Sequence, residues 1–469
     1  MALARRRVVP WLVGGASAPL WAASLTPRSA TAAEHPGYGP LAPALPLNSD
    51  ALRVMRADAP STVAYDLRGV PLLALPQGFR YRVLSCTGMT MSDGQRVPGA
   101  HDGMAAFAGP RPGTTLLVRN HELRRGAVHH GDADGVRVPA ALKWDPQAIG
   151  GTTTLLVDAD GTLRRDHASL GGTDNNCAGG PTPWGSWLTC EESVATPQDS
   201  GGRYARRHGY VFELPAAAAG PVEARPIVGM GRFRHEAAAV DPVSGAVYLS
   251  EDRADGCLYR YLPREPGRLH AGGALQALRL RDGGGHSVDT ARGLRSMLGR
   301  PLAVDWVAID EPDPTTDDVR AQAQARGAAR FSRGEGLWAG GPRGTDDHRI
   351  TLVSTSGGDA GAGQVFALDP GAGQVTLVAE SSDRALLDGP DNVGAAPDGR
   401  LLLCEDGGGG NGLVGIEADG TLFTFARNLF NSSEFCGACS SPDGRFLFVN
   451  LQTPGLTLVI EGPWRAAGR

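Results

Sequence analysis

Two stretches decide the fold: Pro397–Asp406, PDGRLLLCED, and Pro442–Asn450, PDGRFLFVN. Each opens with Pro-Asp-Gly, where the fixed proline φ and permissive glycine favour a tight turn, and runs through apolar residues to a polar end. The same plan returns upstream at Gly113–Glu122 (GTTLLVRNHE), Gly185–Glu192 (GSWLTCEE), Gly245–Asp252 (GAVYLSED) and Arg349–Gly357 (RITLVSTSG), six copies in all. The 45 positions from Pro397 to Pro442 fit one four-stranded propeller blade of roughly 40–50 residues. Longer intervals elsewhere mark insertions, chiefly 262–337, where Thr316–Arg330 reads as a capped Ala- and Arg-rich helix. The spacing predicts an all-β, six-bladed β-propeller with a short helical insertion between blades. A large β-sandwich is the alternative that shares these hairpins. Composition agrees: 66 Gly and 34 Pro in 469 residues tell against long helices, and 41% hydrophobic residues suffice for a core.

Corresponding strands of a propeller flank its central channel, so their matching ends meet at one mouth. Here those ends are His121-Glu122, Glu191-Glu192, Glu251-Asp252, Glu405-Asp406 and Asn450. Converging carboxylates repel one another unless protons or cations intervene, and an oxygen-rich cluster suits hard cations such as Ca²⁺. Cys177, in the Gly-rich loop Asn175–Gly180, would add a soft ligand favouring a transition metal. Cys190 and Cys404 fall inside apolar runs and read as core. Cys436 and Cys439 have redox-motif spacing, but no βαβ pattern surrounds them. Further polar pairs sit on short loops at His235-Glu236, Arg333-Gly334-Glu335, Asp391-Asn392 and Ser433-Glu434. In an acid-rich, cation-loaded mouth, Arg333 has an evident use as a bidentate partner for phosphate oxygens.

Arg5–Arg7, the weakly apolar stretch to Leu25 and the small residues Ala30–Ala33 read as an export signal over 1–33. The paired arginines favour the twin-arginine route, which carries folded proteins. Residues 34–60 read as a Pro-rich linker and 61–469 as one catalytic propeller domain. No later run is apolar enough to span a membrane as a helix. With net charge −5 and Lys143 its sole lysine, the chain lacks the basic balance of a nucleic-acid binder.

The strings Asn176–Glu192, Gly231–Ala237 (GRFRHEA), Arg333–Gly336 (RGEG), Pro390–Asn392 (PDN) and Asn431–Phe435 (NSSEF) together resemble the PhoX-type alkaline phosphatases, over about Pro71 to Trp464. The resemblance implies a six-bladed propeller exported by the twin-arginine machinery to the periplasm or outside the cell. It also implies hydrolysis of small phosphate monoesters at a site of two Fe³⁺ and three Ca²⁺ ions; the chain itself is expected to be a monomer. Carried over by motif, Cys177 would be the thiolate ligand to iron, Glu236 and Glu335 would bridge or ligate metals, and Glu192, Asp391, Glu405 and Glu434 would complete the shell. Arg333 would bind the phosphoryl group, and Arg333 with Glu335 would form the catalytic pair. Two other functions fit the residue pattern: a calcium-dependent propeller hydrolase of lactonase or phytase type, and a non-catalytic secreted scaffold.

Overall fold

All strand pairings among the named strands are antiparallel, as expected where short Gly- and Pro-containing turns reverse the chain. The structure, a computed structural model, describes residues 37–55, 64–127, 135–280, 287–292, 294–339, 349–417 and 421–464. The expected export signal over 1–33 lies outside them. No helix among the described residues is long and apolar enough to cross a membrane.

The architecture is all-β and propeller-like. Two four-stranded sheets run from His101–Ala108 to Leu163–Thr173 and from Phe435–Ser440 through Phe446–Leu451 and Leu456–Glu461 to Arg80–Cys86. A three-stranded sheet holds Asn176–Pro181, Ser186–Glu191 and Val211–Pro215, and a six-stranded one starts at Pro390–Ala395 and ends on Leu73–Pro76 and Leu41–Ala44. Nine strands from His235–Val240 to Gly334–Ala339 make one continuous sheet, in which Pro301–Ala308 pairs with both Gly273–Leu280 and Gln374–Glu380. Because that strand joins two outer edges, the sheets do not separate into six independent blades.

All six repeated segments are strands, but they do not line the axis. In each set the strand immediately before the repeat is innermost: His101–Ala108, Asn176–Pro181, His235–Val240, Gly334–Ala339, Pro390–Ala395 and Phe435–Ser440. These six neighbour one another in a closed cycle, the last returning to the first. Their sequences are rich in Gly and Ala because the strands crowd together: a Cβ on Gly180 would lie 1.8 Å from the Ala238 carbonyl oxygen, and one on Gly394 would lie 1.9 Å from that of Ala438. Hydrophobic cores lie between adjacent sheets; one joins Leu402, Leu413 and Phe425 to Tyr81, Leu447 and Leu458, all buried. Each such side chain contributes about 1.5–3 kcal/mol.

The helix within 262–337 is shorter than the predicted Thr316–Arg330. It spans Val319–Ala325, and Asp318 makes no side-chain cap bond. Gly327 at φ 82° ends the helical turn, since that backbone conformation cannot continue a right-handed helix.

Candidate metal centre at the channel mouth

Each innermost strand carries a β-bulge after its opening residues, seen as register breaks at His101/Met104, Asn176/Gly179, His235/Ala238, Gly334/Leu337, Pro390/Val393 and Cys436/Cys439. A bulge re-aims a side chain out of the sheet's alternation. The second residues of these strands, Asp102, Cys177, Glu236, Glu335, Asp391 and Cys436, thus occupy matching positions. Four of the strands are entered through a left-handed residue: Ala100, Asn175, Arg333 or Gly389. A non-glycine residue there is strained, and Arg333 and Asn175 both serve the mouth.

The ligating atoms form overlapping groups, each within 4.8 Å: Asp102, Glu122 and Cys177; Cys177, Glu192 and Glu236; Glu236, Glu335 and Asp391; then Asp391, Asp406 and Glu434. Of the residues expected to hold metal, Cys177, Glu192, Glu236, Glu335, Asp391 and Glu434 come together. Glu405 does not. Its Oε1 accepts from the Asp388 backbone N–H (3.1 Å), and its Oε2 accepts from the Gly412 N–H (3.0 Å) and pairs with Arg427 (3.4 Å). Glu191 behaves alike, accepting from Asp174, Gly209 and Tyr210 N–H groups and from His208 (2.7 Å). So does Glu251, which accepts from the Cys257 N–H and the Tyr259 hydroxyl. In each acidic pair the first carboxylate binds its own sheet, whereas Glu192, Asp252 and Asp406 carry the polar face of the mouth. Asn450 turns inward as well, donating to the Asp102 carbonyl (2.6 Å).

Asp406 joins the cluster as one of the converging strand ends; Asp102, not singled out from sequence, joins it beside Glu122, another of those ends. Gln452 donates to both carboxylates, at 3.3 and 2.7 Å. A positional signal for Asp102 existed: Cys177, Asp391 and Cys436 each stand eight residues before the Gly of their repeat, and Asp102 stands eleven before Gly113. Asn175 Nδ2 reaches Glu122 (3.0 Å) and Glu192 (3.1 Å), tying the first two groups together.

Burial, reinforced by neighbouring carboxylates, pushes Asp102, Glu236, Glu335 and Glu434 well above the ordinary carboxylate range. It lifts Glu122 to about 7 and Asp391 to about 6. Burial and Asp102 likewise raise the Cys177 thiol. Neither oxygen of Glu236, fully buried, receives an N–H or O–H donor among the described residues. Such a group is costly unless protonated or bound to a cation. One sulfur among many carboxylate oxygens fits a transition metal at the sulfur and hard cations at the oxygens.

Two arginines frame the mouth from matching positions, each two residues before a cluster carboxylate. Arg234 is bonded to Glu192, and Arg333 donates from Nε to Asp252 (2.9 Å) while its Nη2 lies 2.7 Å from Glu335. Asp252 thereby stands between them. Burial alone would raise its pKa, but Arg333 and Arg234 hold it below the usual value. The Arg333 side chain remains 39% exposed, so its guanidinium borders both the cluster and solvent. The seven cysteines are all buried. Cys190 and Cys404 belong to the cores, as expected.

The sequence profile of the family described as alkaline phosphatase PhoX matches residues 59–455. No curated protein sequence matches the chain. Among solved structures, Pseudomonas fluorescens PhoX in complex with vanadate, a transition state analogue, is similar at 17% identity and a TM-score of 0.62, covering 87% of this chain and 97% of that one. A gluconolactonase from Xanthomonas campestris matches at 14% identity and a TM-score of 0.42, over 91% of this chain and 99% of its own. The profile match spans most of the sequence, and the chain belongs to the alkaline phosphatase PhoX family, whose members are metal-dependent phosphatases.

Proposed function

We propose that this chain is an exported monomeric phosphatase that hydrolyses small phosphate monoesters at a centre of two Fe³⁺ and three Ca²⁺ ions. The observation that carries this reading is Glu236, buried between Cys177 and Glu335 with neither oxygen receiving an N–H or O–H donor among the described residues. Cys177, Glu192, Glu236, Glu335, Asp391 and Glu434 would hold the ions, with Asp102, Glu122 and Asp406 extending the shell. Residues 1–33 would direct export and 61–469 would form six blades, with Leu41–Ala44 of the Pro-rich stretch 34–60 added to the edge of one sheet; support for the count comes from the closed cycle of six innermost strands.

Phosphate monoesters hydrolyse extremely slowly unaided, so the site must stabilise charge on a large scale. When bound, the cations would supply Lewis-acid neutralisation of phosphoryl oxygens and lower the pKa of water. This chain's own contribution is orientation. Arg333, held by Asp252 and Glu335 at the solvent edge, would offer its remaining N–H groups to equatorial phosphoryl oxygens. Asp252, between the two, would orient Arg333 and Arg234 at the edge of the cluster.

The test is p-nitrophenyl phosphate hydrolysis with and without chelator, together with elemental analysis. Activity that chelation removes, with both iron and calcium in the purified protein, is expected. Arg333→Ala should lower kcat/KM about 100-fold with metal content intact, the loss typical of one charge-stabilising donor. A chelator-insensitive or iron-free active enzyme would overturn the metal assignment.

A further inference from the structure

Beside the carboxylate cluster lies a cleft of about 540 Å³ whose wall includes Arg124, Arg125, Arg203, Arg234 and Arg253. Two of these guanidiniums are already neutralised: Arg234 by Glu192 and Arg253 by Asp317. The other three are not. Arg124 donates to the Glu192 carbonyl (3.3 Å), Arg125 to that of Gln147 (3.3 Å) and Arg203 to that of Ser200 (3.1 Å). None of the three has a carboxylate within 4 Å among the described residues. The wall also holds Asp174, which accepts from the Tyr204 hydroxyl, and Asp199, which accepts from the Thr196 hydroxyl, neither paired with an arginine among the described residues. Three arginines outside any ion pair, against two aspartates, leave this concavity net positive in a chain of net charge −5, and a concavity focuses the field.

The cleft shares a wall with the cluster. Arg124 grips the Glu192 carbonyl, Arg234 binds the Glu192 carboxylate, and that carboxylate stands in the group with Cys177 and Glu236. A phosphoryl group seated at the mouth would project its leaving group past Glu192 toward these arginines. Resting on the phosphatase reading above, we propose that the cleft is a second anion subsite: the preferred substrates are phosphate monoesters whose leaving group carries a second phosphate. Guanidinium forks suit that ligand, because each can offer two parallel N–H donors to phosphate oxygens.

The experiment uses the metal-loaded protein and the double variant Arg125→Ala/Arg203→Ala, which leaves Arg333, the carboxylates and the Arg124 contact to Glu192 untouched. Binding of hexane-1,6-bisphosphonate and hexylphosphonate is measured by calorimetry, beside kcat/KM for fructose 1,6-bisphosphate and p-nitrophenyl phosphate. The wild type should bind the bisphosphonate about tenfold more tightly than the monophosphonate, a preference weakened by salt because the arginines are exposed. The double variant should lose that preference and lose about tenfold in kcat/KM for the bisphosphate, with p-nitrophenyl phosphate turnover unchanged within about twofold. Absence of the preference in the wild type, or its survival in the variant, overturns the subsite. If neither ester is hydrolysed, the phosphatase reading fails, and the phosphonate pair still decides whether the cleft binds a second anion.

Discussion

Glu405 and Asp406 are adjacent and chemically alike, yet they do opposite work, because successive residues at a strand end face different ways. Glu405 holds two backbone N–H groups and Arg427, whereas Asp406 lies against Asp391 and Glu434. Glu405→Gln is therefore expected to destabilise the fold by about 1–3 kcal/mol, the range for leaving buried donors poorly matched, with metal content preserved. Asp406→Asn should do the reverse, lowering bound metal while leaving the denaturation midpoint of chelated protein in place. Equal metal loss in both variants would refute the division of labour. This is also where sequence reading reached its limit at residue scale. An acidic pair at a repeated strand end is visible as a string, and the motif resemblance selects Cys177, Glu236 and Glu335, which lie in overlapping groups of the cluster. Which member of a pair turns inward depends on the bulge in the strand beside it, and no local periodicity encodes that.

Among the strands, the hairpins were legible because Gly and Asp have backbone preferences that show in any alignment-free reading. The innermost strands were not. Segments such as NCAGGP over Asn176–Pro181 and PDNVGA over Pro390–Ala395 lack the alternating large apolar residues that announce a strand. Crowding about the axis selects small residues instead, so tertiary packing overrides β propensity there. Gly394→Ala should show this directly. The new methyl would meet the rigid Ala438 carbonyl, costing about 3 kcal/mol in chemical denaturation, whereas Gly399→Ala, with open space around it, should lose only what its positive φ demands. The predicted helix over Thr316–Arg330 failed for a related reason: its composition suits a helix, but Gly327 and the return of the chain toward Gly334–Ala339 leave room for seven residues only.

For the molecule as a whole, the mild net charge of −5 conceals a strongly acidic mouth, and this governs stability against pH. Asp391 and Glu122 have folded-state pKa values raised to about 6 and 7, so between pH 4 and 7 the folded chelated protein holds protons that the unfolded chain has released. Raised carboxylate pKa values mean stability is greatest below the unfolded values and falls as pH climbs toward the folded ones. Bound cations remove that penalty. The gap in melting temperature between metal-loaded and chelated protein should therefore widen as pH rises from 4.5 to 7. A gap independent of pH would argue that these carboxylates do not share the cation site.

The sheet that contains Phe435–Ser440 is completed by Arg80–Cys86, whose register runs from Leu456 opposite Cys86 to Glu461 opposite Arg80. Synthesis reads that arrangement as a delay. Once Cys86 has been made, another 370 residues must be added before its partner Leu456 exists, roughly 20–75 s at typical translation speeds. Throughout that interval the early strand is an open edge with no companion, prone to pair with the wrong chain. Closure of the ring consequently waits for its final strands, and anything that must hold the polypeptide unaggregated until then acts on a nearly full-length, still unclosed ring.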